Sequence, residues 1–130
     1  MVSFDNMTKK LEITRGDTLS LRLTANLKTG EEYIFKQGSI ISFKITKPKE
    51  QNKIIFEKSI EVDKDTNYVF LELTSNETKI GELNNEPISY WYEISLTDLN
   101  DFVQTIIGYN ENGPTLFILN PEAEEGIISE

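Results

Sequence analysis

The side chains that could do chemistry in this sequence are mostly carboxylates. The 130-residue chain carries 22 acidic against 13 basic side chains, and it has neither histidine nor cysteine. Glu57, Glu72 and Glu93 lie in alternating apolar runs, so two of them could serve as general acid and base if they met across a cleft. Their parity puts all three on the polar side of their strands, where a solvated sheet face is the simpler interpretation. We therefore expect no catalytic residue and no enzyme activity.

The segment DKDTN, which begins at Asp63, has the alternating oxygen ligands of the opening of a calcium loop. Counted from Asp63, the sixth position is Tyr68 instead of glycine, and the twelfth is Thr74 instead of a bidentate glutamate. The commonest transition-metal ligands are missing as well, because the chain has no His and no Cys. The sequence thus favours a hairpin turn here. It predicts no metal site, and without a phosphate-cradling glycine loop it predicts no cofactor.

Arg15, Gly16 and Asp17 form the tripeptide that integrin ligands present. An adhesion signal has to lie at an exposed loop tip, whereas this tripeptide stands between the apolar segments LEIT and TLSLRL. Glycine can adopt positive φ, and an aspartate side chain can bond backbone groups two residues on. We predict that the three residues are a structural turn, that Gly16 matters more than the charges, and that Arg15→Ala is nearly silent.

The elements that must position these residues are β-strands. Apolar and polar residues alternate in runs such as LSLRL, ISFKI and ISYWYEISL, which is typical of half-buried strands. Turn-forming clusters separate the runs at intervals of about 8 to 12 residues, the spacing of sandwiches and barrels. The inward parity predicts one core that contains Leu21, Leu23, Phe43, Ile45, Phe56, Leu71, Leu73, Tyr92 and Ile94.

One interval between strands has a helical signal. Thr74 and Glu77 have the spacing of a capping box, and Gly81 stands where a C-cap glycine would. The sequence therefore predicts one short helical turn near residues 75–80, which crosses between two sheets.

The length and net charge of the chain limit its domain organisation and the kinds of partner that it can bind. The chain is long enough for one domain, which we divide into an N-terminal arm (1–10), a β-sandwich (11–120) and an acidic C-terminal tail (121–130). The net charge of −9 repels phosphate backbones and anionic lipids, so we expect no nucleic acid and no membrane as partner. No apolar stretch reaches the about 18 residues of a membrane span, and the first residues lack the apolar core of a secretion signal.

The aromatic residues are the most informative about partners. If the inward parity is right, Tyr68, Phe70 and Trp91 point to the outer faces of their strands. Exposed aromatic side chains are favoured anchors of protein interfaces. We therefore predict that Trp91, with Tyr68 and Phe70, forms part of a docking surface. The alternative is that another segment of the same chain covers them.

The order of these patterns resembles a known family. The segments ITRGDTLSLRLTA, TGEEYIFKQGSIISFKITKP, NYVFLELTSNETKIGELNNEPISYWYEISLTD and VQTIIGYNENGPTLFI are similar, in sequence order, to the N-terminal domain of phage baseplate upper proteins. That domain occurs in tailed phages and prophages of Firmicutes, and the resemblance covers about residues 11–119. It implies an all-β fold, an immunoglobulin-like antiparallel β-sandwich of about 7–9 strands. It also implies assembly without catalysis.

The resemblance therefore predicts a non-enzymatic structural protein of a phage or prophage particle. Such a protein is made in the bacterial host cytoplasm and works in the virion as a baseplate or tail adaptor or another connector. Its expected partners are other virion proteins and copies of itself. One alternative is a carbohydrate- or protein-binding surface module, in which Trp91 and Tyr68 stack on sugar rings. A second alternative is a small β-rich enzyme.

Overall fold

Nine β-strands make up the regular structure of the chain. The computed structural model describes residues 2–5, 7–81, 85–111 and 113–122. The strands are β1 (Val2–Phe4), β2 (Leu11–Thr14), β3 (Leu19–Leu23), β4 (Ile40–Lys47), β5 (Glu50–Glu61), β6 (Val69–Leu73), β7 (Ile88–Thr97), β8 (Val103–Ile107) and β9 (Leu116–Asn120). The described ranges contain no helix, and hence none that is long and apolar enough to cross a membrane.

The strands form two sheets of unequal size. The larger has the order β1-β2-β9-β7-β4-β5, with β8 paired to the C-terminal half of β7, and the smaller consists of β3 and β6. Apolar residues of both sheets share one core, so the predicted all-β sandwich is confirmed. The opposition of β9-β7-β4-β5 to β3-β6 resembles the strand order of immunoglobulin-like domains.

The sandwich is antiparallel except at one strand pair. β2 pairs with β9 in parallel, from Leu11 opposite Phe117 to Thr14 opposite Asn120. Parallel neighbours need a long connection, and here almost the entire domain lies between the two strands. The alternation of side chains does not specify strand direction, because a period of two is the same in both kinds of pair.

The core is centred on Phe43 of β4. Its ring lies 5.7 Å from that of Tyr92 and 6.3 Å from that of Phe117, and all three side chains are buried. Of the predicted core, Leu21 and Phe56 are only partly buried. Both are packed against the core from strands that have one paired neighbour among the described residues. The core also includes residues outside that prediction, among them Leu11, Ile13, Phe35, Ile41, Phe117 and Leu119.

Two tyrosines of β7 face the core. The hydroxyl of Tyr92 donates a hydrogen bond to the backbone carbonyl of Lys9, and burial raises the pKa of this phenol well above its usual range. Burial also raises the pKa of Tyr90, although the positive charge of Arg15 opposes the shift. Both phenols therefore stay neutral near neutral pH and act as packing groups of the core.

The segment after β6 forms the predicted capping box. The Thr74 N–H donates to Glu77 Oε1 at 2.9 Å, and the Glu77 N–H donates to Thr74 Oγ1 at 3.2 Å. Two backbone bonds of helical type follow, from the Thr78 N–H to the Thr74 carbonyl at 3.1 Å and from the Lys79 N–H to the Asn76 carbonyl at 3.2 Å. The predicted short helical turn near residues 75–80 is thus a capped turn over residues 74–78 and does not continue into a helix.

We expect the capped turn to make the fold sensitive to acid. Lys58 Nζ donates to Glu77 Oε1 at 2.8 Å, and this bond, with the Thr74 N–H, lowers the pKa of Glu77. A carboxyl whose pKa is lowered by folding stabilises the fold above the ordinary glutamate pKa of about 4.3, and this contribution is lost as the pH falls through the folded pKa. Glu77→Gln should therefore flatten the fall of unfolding free energy below about pH 5, as measured by urea titrations at several pH values.

Glu57→Gln is the matched control for this prediction. Glu57 makes a longer ion pair, 3.7 Å from Lys44 Nζ, and its side chain is 45% exposed. A Glu77→Gln variant whose acid sensitivity equals that of the parent would contradict the prediction.

The structure describes most of the predicted N-terminal arm and the first two residues of the predicted tail. β1 lies within residues 1–10, which were predicted to be an arm, and it pairs antiparallel with β2. Of the predicted acidic tail over residues 121–130, the structure describes Pro121 and Glu122, and Glu122 pairs with Arg15. Residues 123–130 lie outside the described residues.

Candidate functional site

The three glutamates that could have formed an acid–base pair are not brought together. Lys44 of β4 lies between Glu57 of β5 and Glu93 of β7 in the register of the larger sheet. Glu72 belongs to β6 of the smaller sheet. A lysine therefore separates two of the carboxylates, and the third lies in another sheet. This arrangement gives no pair of carboxyl groups flanking a common substrate position.

The DKDTN segment serves as a connection between β5 and β6. Asp65 Oδ1 accepts a hydrogen bond from the Gln37 N–H at 2.9 Å, and Asp65 Oδ2 lies 3.6 Å from Lys36 Nζ. The Gln37 bond is the main reason that the pKa of Asp65 is lowered. Asp65 thus ties two connections of the sandwich to each other. No cluster of three potential metal ligands occurs within the described ranges.

The structure places Arg15, Gly16 and Asp17 in the turn between β2 and β3. The Asp17 N–H donates to the Thr14 carbonyl at 3.0 Å, and Gly16 has a φ of 90°. Thr78, which is buried, accepts a hydrogen bond from the Gly16 N–H at 3.1 Å, and its hydroxyl lies 2.7 Å from the Asp17 carbonyl. The capped turn therefore holds the tripeptide by its backbone.

The Arg15 side chain is covered. It is 12% exposed, and its Nη1 atom lies 2.9 Å from Glu122 Oε1. Its Nε atom is buried and has no hydrogen-bond partner among the residues that the structure describes. The expectation that Arg15→Ala is nearly silent does not fit this burial, because the change removes an ion pair and leaves a gap. The parity of neighbouring residues does not reveal that the chain beyond β9 returns to cover Arg15.

The first aromatic surface lies on the smaller sheet. The rings of Tyr68 and Phe70 meet edge to face with centroids 5.6 Å apart, and they are 37% and 50% exposed. The Arg22 guanidinium of β3 lies 4.7 Å from the centre of the Tyr68 ring, within range of a cation–π contact. The structure therefore brings together two of the three aromatic residues predicted to form an interface.

The second aromatic surface lies on the larger sheet and contains Trp91. Trp91 is partly buried, and its ring centroid is 6.0 Å from that of Tyr109, whose side chain is 65% exposed. We call this surface the Trp91 groove; it is lined by Lys44, Thr46, Gln51, Trp91, Glu93, Tyr109 and Pro114. Trp91 thus lies on a different sheet from Tyr68 and Phe70, and the three residues form two surfaces instead of one.

Sequence reasoning missed Tyr109. Tyr109 follows β8 in an irregular segment, where no alternation of apolar and polar residues indicates the direction of a side chain. The one local signal is Gly108, a buried glycine that lets the chain turn next to Glu93 of β7. This turn carries Tyr109 to Trp91.

A further set of apolar residues is exposed where β7 turns into β8. Leu99, Phe102 and Val103 are 62%, 67% and 66% exposed. The sequence of β8 contains no sign that its first residues stand in solvent. No protein-family model, curated protein or solved structure matches the chain.

Proposed function

We propose that this chain is a non-enzymatic assembly protein of a tailed-phage or prophage particle. It would act in the virion as a baseplate or tail adaptor or another connector, bound to other virion proteins. The observation that carries the assembly role is the Trp91 groove. The phage assignment is supported by the ordered sequence patterns between residues 11 and 119.

The Trp91 groove has the composition of an interface anchor site. A tryptophan fixed by partial burial and a largely exposed tyrosine present a large apolar area that loses little conformational freedom on binding. Aromatic residues in such positions carry much of the binding energy of protein interfaces. The polar groups of Gln51 and Lys44 at the groove can fix the orientation of a partner.

A second candidate function is binding of a neutral carbohydrate in the same groove. Two aromatic rings beside Gln51, Glu93 and Lys44 would offer both a stacking surface and hydrogen-bond partners to a sugar. Such a module would use Trp91 with Tyr109, since Tyr68 lies on the other sheet. Titration with cell-wall polysaccharide discriminates the two functions, because sugar stacking changes the fluorescence of the chain's one tryptophan.

The test of the assembly role is Trp91→Ala in particles. A host strain that lacks the gene is complemented with the parent or the variant chain, and purified particles are analysed by mass spectrometry. We expect parent peptides in the particles and a strong loss of the variant, because removal of an interface anchor costs about 2 kcal/mol or more. The melting temperature of the isolated chain should change little, since Trp91 lies outside the core.

Tyr68→Ala is the matched control on the other aromatic surface. It should enter particles like the parent, and a loss confined to Tyr68→Ala would assign docking to the smaller sheet instead. Particles that form completely and infect without this chain would contradict the virion role. If both variants entered particles as well as the parent does, neither aromatic surface would contribute to assembly.

A further inference from the structure

The hairpin between β7 and β8 extends beyond the body of the sandwich. Val103, Gln104 and Thr105 are consecutive strand residues and all three are exposed, although alternate residues of a strand point to opposite faces. Both faces of this end of β8 are therefore in solvent. β8 pairs only with β7 among the described residues, so its other edge is open. Open strand edges are templates for pairing with another chain.

The tip of this hairpin is ordered by its own hydrogen bonds. The Asp98 carboxylate accepts bonds from the Asn100 N–H at 2.8 Å and the Phe102 N–H at 3.1 Å. The Asp98 N–H donates to the Phe102 carbonyl at 3.0 Å. Leu99 and Phe102 are thus held in solvent by a fixed turn, and a partner need not order them. We call residues 98–103 the apolar tip; its charged residues are Asp98 and Asp101.

A complementary surface lies at the opposite end of the larger sheet. Thr46 pairs with Trp91, whereas Ile40 pairs with Thr97, so the β4–β5 hairpin and the apolar tip are at opposite ends of the register. The turn of this hairpin, residues 47–53, carries Lys47, Lys49 and Lys53 and one acidic residue, Glu50. Glu50 forms an ion pair with Lys53 at 3.1 Å, so Lys47 and Lys49 supply the excess positive charge of this turn. It borders the Trp91 groove through Gln51, and β5 is an open edge of the sheet among the described residues.

We propose that the apolar tip of one copy docks on the β4–β5 hairpin and the Trp91 groove of a second copy. Phe102 and Leu99 supply the apolar contact to Trp91 and Tyr109, and the tip aspartates face the lysines. The inference rests on the proposed assembly role and names the partner of the Trp91 groove. Because the contact joins two different surfaces of the same chain, it is heterologous and generates a ring or a filament.

Charge complementarity favours a second copy as the occupant. A net charge of −9 makes two copies repel each other in most orientations, and the lysine-rich hairpin is a region where an acidic tip is attracted. Ile40 and Thr46, which mark the two ends, are roughly 20 Å apart along β4 at about 3.3 Å per residue. One chain cannot close this distance on itself, whereas two copies can.

The experiment is a charge exchange between the two surfaces, measured by sedimentation velocity at low ionic strength. Lys47→Glu with Lys49→Asp makes both surfaces acidic, and Asn100→Lys with Asp101→Lys makes both basic. Asp98 is left in place because it holds the tip. Positions 49 and 101 share a φ of 64°, which a lysine and an aspartate already adopt in this chain, so the backbone accepts the exchange at both positions. Lys28→Glu with Lys64→Glu, which changes the net charge by the same amount as the acidic variant, is the control.

We expect the parent and the control to self-associate as concentration rises and salt falls. Each exchanged variant alone should associate at least about tenfold more weakly, and an equimolar mixture of the two should associate again, because acidic surfaces then meet basic ones. Phe102→Ala, introduced into the parent, should weaken self-association although it leaves the net charge unchanged. Circular dichroism spectra and melting curves of the variants exclude unfolding as the cause.

A parent that stays monomeric up to about 1 mM overturns the inference, since its contact would then be weaker than about 4 kcal/mol. Self-association that neither charge exchange nor Phe102→Ala weakens also overturns it, as does a mixture that fails to associate. In each case incorporation of the chain into particles is a separate measurement. The assembly role can therefore stand while this contact is rejected.

Discussion

Phe43→Ala is expected to lower the free energy of unfolding by about 3–5 kcal/mol. Phe43 has no exposed surface and packs against Tyr92 and Phe117. β4 is hydrogen-bonded to β5 on one side and to β7 on the other, so the backbone cannot move in to fill the cavity. The total free energy of unfolding of a domain of this size is about 5–15 kcal/mol. Urea titration of the parent and the variant measures the difference.

Phe70→Ala is the control of identical chemistry for Phe43→Ala. Phe70 is 50% exposed on the smaller sheet, so its removal leaves no closed cavity and should cost well under half as much. A loss below about 1 kcal/mol for Phe43→Ala, or equal losses for the two variants, would show that the core is not centred on Phe43.

Gly16→Val is expected to be the most disruptive change in the turn between β2 and β3. A φ of 90° is unfavourable for a β-branched residue, and such strain costs about 1–3 kcal/mol. The turn cannot relax freely, because the Gly16 N–H bonds to Thr78 and the Gly16 carbonyl accepts a bond from Ser75 at 2.6 Å. Loss of these bonds would add to the cost. Thermal and urea unfolding of the variant measure the sum.

Gly30→Val separates the effect of a positive φ from the effect of the hydrogen bonds that hold the Gly16 backbone. Gly30 has a φ of 89°, but its position is exposed and an added Cβ would meet nothing within 4 Å. The Gly30 N–H bonds only within its own exposed turn, to the Leu27 carbonyl at 2.9 Å, whereas the Gly16 backbone is bonded to a distant segment. The loss of stability should therefore be smaller than at Gly16. If Gly16→Val unfolded at the same urea concentration as the parent, the conformation of the turn between β2 and β3 would not contribute to stability.

The features that could be predicted from the sequence are those determined by residues close to each other in the chain. Alternation gave the buried faces of β4 and β7, because side-chain direction in a strand depends only on local geometry. The capping box was predictable for the same reason, since Thr74 and Glu77 are three residues apart. The bonds of Thr78 to a turn about 60 residues earlier in the chain were not predictable in this way, because they join segments that are distant in sequence.

The positions of the candidate site residues depend on which strands pair over long distances in the sequence. The alternation of apolar and polar residues does not predict this pairing. Trp91 and Phe70 both point away from the core, yet each belongs to a different sheet. The parity of a strand fixes which residues face outward but does not fix which sheet the strand joins. Tyr109 reaches Trp91 because β8 pairs with β7, and Gly108 alone, without any alternation of apolar and polar residues, gives a local sign of that contact.

The parallel pairing of β2 with β9 also determines how the domain responds to a pulling force. Val2 lies opposite Ile13 and Asn120 opposite Thr14, so both ends of the described chain leave at the same end of the sheet. Tension between them first peels β1 from β2, one residue pair at a time. The force then acts at Leu11, at the far end of β2, and loads the β2–β9 hydrogen bonds in shear. These bonds share the load and must break together, so the sandwich holds under tension after its first strand has detached.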